Sequence, residues 1–372
     1  MTDQRYMAYA LSLARRGLGR TWPNPSVGCV IVKNDTIVGV GRTADGGRPH
    51  AEVVALAQAG SSAVGATAYV TLEPCSHHGK TPPCCEALVT AGISRIVSPF
   101  HDRDPRVSGA GFRYLREAGV EVETGVCAKE AYEEHLGFFL KFGEERPKVT
   151  LKLAMSADGR IATASGESKW ITDTPARRLV HAMRAEHDAV LVGGGTVRDD
   201  DPSLTVRELG IDHKTVRVVL SRKLDLPQTC RLAETAKEYP VWICHSPEAS
   251  EERHSFWKSR DIELIPTQVT AQRLDEKDAL KRLSERGITR VFCEGGGTLA
   301  ASLLQADLVD DLICFHAGLI IGAEGRPSVS AMGLETLPNA PRFDLKETRK
   351  IGRDTMQIWT KRQNATDHER II

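Results

Sequence analysis

The 372-residue chain has no net charge, because 49 lysines and arginines face 49 aspartates and glutamates. It has no apolar run near the ~18 residues that cross a membrane, no internal repeat and no low-complexity segment. Met1-Thr2-Asp3-Gln4-Arg5-Tyr6 holds no basic stretch leading into an apolar core, so a secretory leader is not expected and the cytoplasm is the expected compartment. Neutrality excludes a polyanion binder that works by overall charge, and no basic stretch interleaved with aromatics takes its place. Disorder is excluded by 41% hydrophobic residues with zero net charge. The nine cysteines are odd in number and dispersed, unlike the framework of a small secreted domain. What is there is an ordinary soluble composition and a length that fits two domains.

Strand and helix signals alternate along the chain. Residues 5–17 place apolar and basic positions at helical spacing, and Trp22-Pro23-Asn24-Pro25 then excludes helix. Val27 to Val32 and Thr36 to Gly41 predict a hairpin turned at Asn34-Asp35. Helices over 50–60, 84–92 and 109–119 alternate with strands over 67–72, 95–98 and 120–124. Residues 130–141 predict an amphipathic helix, and Phe142 to Pro147 a linker. A second series follows, with strands at 148–155, 189–192, 217–221, 241–245, 290–293, 312–318 and 356–360. Its helices are expected over 176–186, 274–286 and 299–306. Such alternation implies α/β layers. Residues 1–147 hold 16 charges of each sign and the remainder 33 of each, so neither half is a charged arm. Two α/β domains are expected, over 1–145 and 148–362.

Cysteines 29, 127, 230, 244, 293 and 314 mostly sit in apolar runs and read as small core residues. Cys75, Cys84 and Cys85 lie in a polar, Pro-rich loop instead. His50-Ala51-Glu52 opens a helix, Pro74-Cys75 follows a strand and Cys84 opens another helix. One imidazole and two thiolates hold Zn²⁺ as three ligands and leave a fourth position for water, as in a catalytic site. Zinc draws the pKa of that water toward ~7. Glu52, two residues from His50, is placed to carry its proton to a leaving nitrogen. The signature of zinc nucleobase deaminases is His-x-Glu followed by Pro-Cys-x-x-Cys; here eight residues, Ser76 to Pro83, separate the cysteines. Two alternatives stay open: Cys85 in place of Cys84, or a structural site with a fourth ligand from His77, His78 or Cys85.

In the second half, Glu294-Gly295-Gly296-Gly297-Thr298 follows a strand and starts a helix. Glycines there admit a phosphate to the helix N-terminus, although no acidic ribose ligand follows about 20 residues on, so a standard Rossmann domain is not expected. Ala189 to Thr196 is another strand running into glycines, and Asp199-Asp200-Asp201-Pro202 reads as a solvated turn.

Three segments carry a resemblance: His50-Ala51-Glu52-Val53, Thr71 to Gly79, and Thr81-Pro82-Pro83-Cys84. Together with Trp22-Pro23-Asn24-Pro25, they resemble the bifunctional pyrimidine deaminase–reductase of riboflavin biosynthesis, a family with the long cysteine spacer. The resemblance implies a cytidine-deaminase-like α/β/α domain followed by a dihydrofolate-reductase-like α/β domain. It implies His50, Cys75 and Cys84 on zinc, Glu52 as the catalytic residue, and Asn24 and Lys80 on the substrate. Segments 151–160, 165–171, 189–207 and 294–298 are similar to its reductase half. There it implies Ala154, Trp170, Thr196, Asp200, Ser221, Gly296, Gly297 and Thr298 against NADPH. It sets Ser168, Arg184, Leu204, Arg207 and Glu294 against the substrate, with Lys152 as a proton donor or anchor. Arginines suit a phosphate, which guanidinium grips bidentately. The implied reactions are hydrolytic deamination of 2,5-diamino-6-ribosylamino-4(3H)-pyrimidinone 5′-phosphate and NADPH reduction of its ribosyl group to ribityl. The expected partners are that small phosphorylated pyrimidine and further copies of the chain, with no nucleic acid and no membrane. The rival reading is a nucleoside or tRNA deaminase joined to an unrelated nucleotide-binding domain. Residues 222–280 and 361–372 carry little recognisable signal.

Overall fold

In the computed structural model, which describes residues 2–79 and 82–362, the chain divides after Glu144 into two units. The first unit runs α1 (Thr2–Arg15), β1 (Gly28–Lys33), β2 (Thr36–Arg42), α2 (Ala51–Ala59), β3 (Thr67–Val70), α3 (Cys84–Thr90), β4 (Arg95–Ser98), α4 (Ala110–Glu117), β5 (Glu121–Thr124) and α5 (Ala128–Gly143). Its sheet has the order β2-β1-β3-β4-β5. β1 pairs antiparallel with β2 and β3, and β3, β4 and β5 run parallel. Asn34 and Asp35 both take positive φ, 48° and 58°, the backbone of a tight hairpin turn that follows the strand twist.

Alternation along β1 builds three layers. Cys29 and Ile31 pack with Ala51 and Ala55 of α2, Leu88 of α3 and Phe112 of α4. Val30 and Val32 pack on the other face with Met7 and Ala10 of α1 and Ala131 of α5. Gly41 sets how closely α2 approaches: a Cβ there would lie 2.3 Å from the Ala51 carbonyl oxygen. That contact seats the first turn of α2, where His50 and Glu52 are carried.

The second unit, Glu145–Arg362, begins with β6 (Lys148–Ser156), β7 (Arg160–Ala162), α6 (Thr174–Ala185), β8 (Ala189–Gly193), α7 (Gly194–Asp200), β9 (Val216–Leu220), α8 (Arg231–Glu234) and β10 (Val241–His245). It continues with α9 (Glu251–Lys258), β11 (Glu263–Pro266), β12 (Val269–Thr270), β13 (Arg273–Leu274), α10 (Glu276–Glu285), β14 (Arg290–Cys293), α11 (Gly297–Gln305), β15 (Asp311–Ala317), β16 (Arg326–Pro327), β17 (Phe343–Ile351) and β18 (Asp354–Lys361). Nine strands form one sheet in the order β11-β10-β9-β8-β14-β6-β15-β18-β17. The seven from β11 to β15 are parallel, and the β18–β17 hairpin is antiparallel. The central strands β8 and β9 are buried along nearly their whole length, as strands covered on both faces must be. After β8 the chain moves outward to β9, and after β14 it crosses to β15 on the far side of β6. That reversal makes a crevice at the carboxyl ends of β8 and β14, the usual ligand position in such sheets.

Four expectations are corrected. Residues 142–147 do not form a free linker: α5 continues to Gly143, and Arg146 is buried, with Nη1 and Nη2 donating to Asp310 at 2.7 and 2.9 Å. Asp199 and Asp200 close α7, and only Asp201 turns, with φ 41°. Cys127 is half-buried and caps α5 in a left-handed conformation, so it is not a core residue. Strand β17 lies in a segment for which no strand was expected.

Asp310 also accepts from the Val149 N–H at 2.8 Å, so it ties the unit's entry to its central strand. Removing one partner of a buried ion pair costs about 3–5 kcal/mol. Asp310→Ala is therefore expected to lower the melting temperature of the second unit by on the order of 10 °C, measured by calorimetry.

Candidate functional site

His50 is the N-cap of α2, and Glu52 sits in its first turn. Cys75 follows β3 after Pro74, and Cys84 is the first residue of α3. Their donor atoms lie within 4.8 Å of one another, the one such group of three among the described residues. His50 Nδ1 is 3.3 Å from Cys84 Sγ and 3.6 Å from Cys75 Sγ. A tetrahedron with the usual Zn–N and Zn–S bonds has N···S edges of about 3.5 Å, so the donor set fits zinc. The Cys84 backbone N–H donates to Cys75 Sγ at 3.3 Å.

Hydrogen bonds from the Cys84 side chain and from His50 draw Cys75 down to about 4, and the same contact pushes Cys84 up. Burial pushes Glu52 up to about 7, reinforced by the negative charge of Cys75 and opposed by His50. Cys85 turns away into the core with Ala51, Ala55 and Leu88, where burial pushes its thiol up to about 11. The structure thus brings Cys84, and not Cys85, to His50 and Cys75, since adjacent helical residues point about 100° apart. His78 is exposed, with Nε2 3.6 Å from Glu86, and His77 lines the cavity.

That cavity has a volume of about 290 Å³, and His50, Glu52, Cys75 and Asn24 all line it. Asn24 donates its amide to the Gly47 carbonyl at 2.7 Å, which fastens the turn before His50. Lys80 lies outside the described residues. Sequence reasoning missed Arg48, Asp102 and Lys141, which also line the cavity, and it missed Glu73. The buried Glu73 carboxylate accepts from the N–H groups of Asp102, Gly109, Gly111 and Phe112 at 2.8–3.1 Å. It holds the 102–111 segment against the site. Its place between Thr71 and Cys75 was the available signal.

In the second unit, a cavity of about 430 Å³ opens at the carboxyl ends of β8 and β14. Ala154, Thr196, Asp200, Gly296, Gly297 and Thr298 line it, as do Ser168, Glu294 and Lys152. A Cβ at Gly297 would lie 2.6 Å from the Pro327 carbonyl oxygen, so only glycine fits that approach. Glu294 is paired with Arg184, with Nη2···Oε2 at 3.1 Å, and lies 3.9 Å from Lys152 Nζ. Burial opposes the charge on Glu294, but Arg184 and Lys152 outweigh it and hold the carboxyl below its ordinary range. Burial pulls the Lys152 ammonium down, partly offset by Glu294.

The other expected residues stand off this wall. Arg184 also donates to the Thr205 carbonyl at 2.9 Å, and Leu204 is buried in the core. Arg207 is exposed. Trp170 is 74% exposed, with the Arg177 guanidinium 4.3 Å from its ring centroid. Ser221 is buried and donates to Asp225 at 3.2 Å.

Two family models match the chain: the cytidine and deoxycytidylate deaminase zinc-binding region over residues 1–99, and the RibD C-terminal domain over residues 147–357. The riboflavin biosynthesis protein RibD of Escherichia coli is 43% identical over 366 residues, covering 95% of this chain and 98% of that one. The chain belongs to the RibD family. It is a bifunctional deaminase–reductase of riboflavin biosynthesis, with a deaminase zinc-binding region in the first unit and a reductase domain in the second. RibD of Aquifex aeolicus is 41% identical, over 95% of this chain and 96% of its own. Among solved structures, Acinetobacter baumannii RibD matches with a TM-score of 0.87 at 39% identity, covering 97% of this chain and 99% of that one. A Thermotoga maritima protein described as a diaminohydroxyphosphoribosylaminopyrimidine deaminase/5-amino-6-(5-phosphoribosylamino)uracil reductase matches with a TM-score of 0.85 at 35% identity, over 97% and 99% of the two chains. Among the described residues, no helix is long and apolar enough to cross a membrane.

Proposed function

We propose that the first unit deaminates 2,5-diamino-6-ribosylamino-4(3H)-pyrimidinone 5′-phosphate and that the second reduces the ribosyl group of the product to ribityl with NADPH. The observation that carries this reading is the convergence of His50, Cys75 and Cys84 beside the buried Glu52 carboxylate. The description of the Thermotoga maritima relative supports the substrate.

Zinc, held by His50, Cys75 and Cys84, would supply a Lewis acid that makes water acidic at neutral pH. Glu52 takes a proton from the attacking water and returns one to the departing nitrogen. The C–N bond breaks, ammonia leaves, and the ring carbon keeps the oxygen. Asn24, through its bond to Gly47, shapes the wall that the pyrimidine faces.

In the second unit NADPH would supply a hydride to C1′ of the ribose. The glycine turn 295–297 lets the cofactor approach the start of α11, and Thr196 and Asp200 lie on the same cavity wall. Ser168 donates to Asp200 at 3.4 Å and so borders both cofactor and substrate. Lys152 gives a proton to the ring oxygen as the C1′–O bond opens, and Glu294 positions it. Arg184 holds Glu294 in place.

The test is one incubation of the zinc-loaded enzyme with the phosphorylated diaminopyrimidine and NADPH, following ammonia and NADPH absorbance separately. Ammonia release is expected first, with NADPH loss depending on it. A chelator should stop both signals, and adding the deaminated product should restore NADPH loss alone. Ammonia from cytidine or tRNA, with none from the phosphorylated pyrimidine, would overturn the reading.

A further inference from the structure

A nicotinamide dinucleotide brings a diphosphate into the cavity of the second unit, where the wall is acidic. Asp199, Asp200 and Glu294 line it, against two described cations, Lys152 and Arg326. Lys152 lies 3.9 Å from Glu294, which offsets its charge. Arg326 is the cation that adjoins the glycine turn.

Its place follows from the backbone. Strand β16 pairs antiparallel with β7, with Arg326 opposite Ala162. The next residue, Pro327, has the carbonyl oxygen that approaches Gly297, and the Ser330 N–H donates to the Gly297 carbonyl at 3.0 Å. The segment that carries Arg326 is thus fastened to the first turn of the nine-residue helix α11, whose opening N–H groups suit an anion. The guanidinium spans from Gly166 to Asp199. A Cβ at Gly166 would lie 3.0 Å from Nη2, and Asp199 accepts from Nη1 at 3.0 Å. Both of those residues line the cavity. The Arg326 and Asp199 side chains are 51% and 59% exposed, and an ion pair that open to water is weakly held. A diphosphate offers the same planar guanidinium two parallel bonds to a more highly charged partner.

We propose that Arg326 exchanges Asp199 for the diphosphate of the nicotinamide cofactor and so seats the dinucleotide on the glycine turn. The proposal rests on the reading that the second unit uses such a cofactor. Asp199 is then a competitor that keeps the guanidinium at the cavity wall while the cofactor is away. Arg326 binds the cofactor and takes no part in proton transfer.

The experiment titrates the full chain with NADPH and with NADH, following the nicotinamide fluorescence without substrate, in wild type, Arg326→Ala, Arg326→Lys and Asp199→Asn. A charge-assisted hydrogen bond contributes about 1.5–3 kcal/mol, or roughly 10–150-fold in Kd. Arg326→Ala is expected to raise both Kd values about tenfold, the low end of that range, because Asp199 has to be given up. Arg326→Lys should recover part of the loss. Asp199→Asn should act in the opposite direction and tighten both dinucleotides by roughly two- to fivefold, the size of an exposed ion pair removed. Weaker binding in both Arg326→Ala and Asp199→Asn would make the pair a brace for β16 and overturn the proposal. Loss of NADPH affinity with NADH unchanged would assign Arg326 to the 2′-phosphate, and a raised KM for the deaminated product with both Kd values unchanged would assign it to the substrate phosphate; either overturns the proposal. So do Kd values within twofold of wild type in Arg326→Ala. Melting temperatures on the same preparations identify a variant that has lost its fold, and Asp199→Asn then decides the matter. Wild type that binds neither dinucleotide overturns the cofactor reading itself, and the Arg326 assignment with it.

Discussion

Glu52→Gln is expected to slow ammonia release by roughly 10²–10⁴-fold, the usual contribution of a placed acid–base group. The substitution keeps size and shape and removes only the ability to exchange a proton. Glu52 is 4% exposed at the start of α2, so an amide there is accommodated without opening the site. The metal ligands are untouched, so the variant should hold zinc at wild-type stoichiometry, checked by metal analysis. NADPH consumption with pre-deaminated product should stay within twofold, because Lys152 and Glu294 belong to the other unit. Loss of zinc together with activity would make Glu52 a structural support for the cluster. Undiminished ammonia release would remove it from the chemistry.

The second large effect is expected at Lys152. Its side chain is half-buried beside Glu294 in the glycine-lined cavity, and burial already favours giving up its proton. Lys152→Met should lower the rate of NADPH oxidation by about 10²–10⁴-fold and leave ammonia release intact. A pH profile separates a proton donor from a passive anchor. Lys152 donates only while protonated, so the rate should fall as pH rises through its pKa. The charge of Glu294 raises that pKa. Glu294→Gln should therefore move the alkaline limb to lower pH. An unmoved limb would assign Lys152 to anchoring alone.

Local chemistry made the deaminase half largely readable. His50, Glu52, Cys75 and Cys84 were marked by residue type and by their positions at helix starts and a strand end. The Cys84–Cys85 choice was not, because it depends on where α3 begins and hence on helix phase. Glu73 was hidden for another reason: its four partners lie 29 to 39 residues away, and a buried acceptor of backbone N–H groups leaves no periodic trace. Arg146 looked like a charged linker residue because its partner is 164 residues distant. Strand β17 alternates poorly, since most of Phe343 to Ile351 is exposed at the sheet edge and none of it is buried, so period two carries no burial signal there. In the reductase half the glycine turns were visible as phosphate-tolerant backbone. Lys152, Glu294 and Arg184 become a set only when β6, β14 and α6 are assembled. Ser221, Leu204, Arg207 and Trp170 entered through resemblance alone, and none of them lines the cavity wall.

The Arg146–Asp310 pair bears on how these two enzymes can be separated. The join between them looks like spare rope, and a cut at Lys148 would keep every reductase strand. It would also strip the guanidinium from a carboxylate sealed inside the fold, leaving a lone buried charge. A free-standing reductase made from this chain therefore has to carry Arg146 as its own first structural residue. The boundary between the two activities lies before that arginine, so the junction has a grain: it tolerates division on its amino side only.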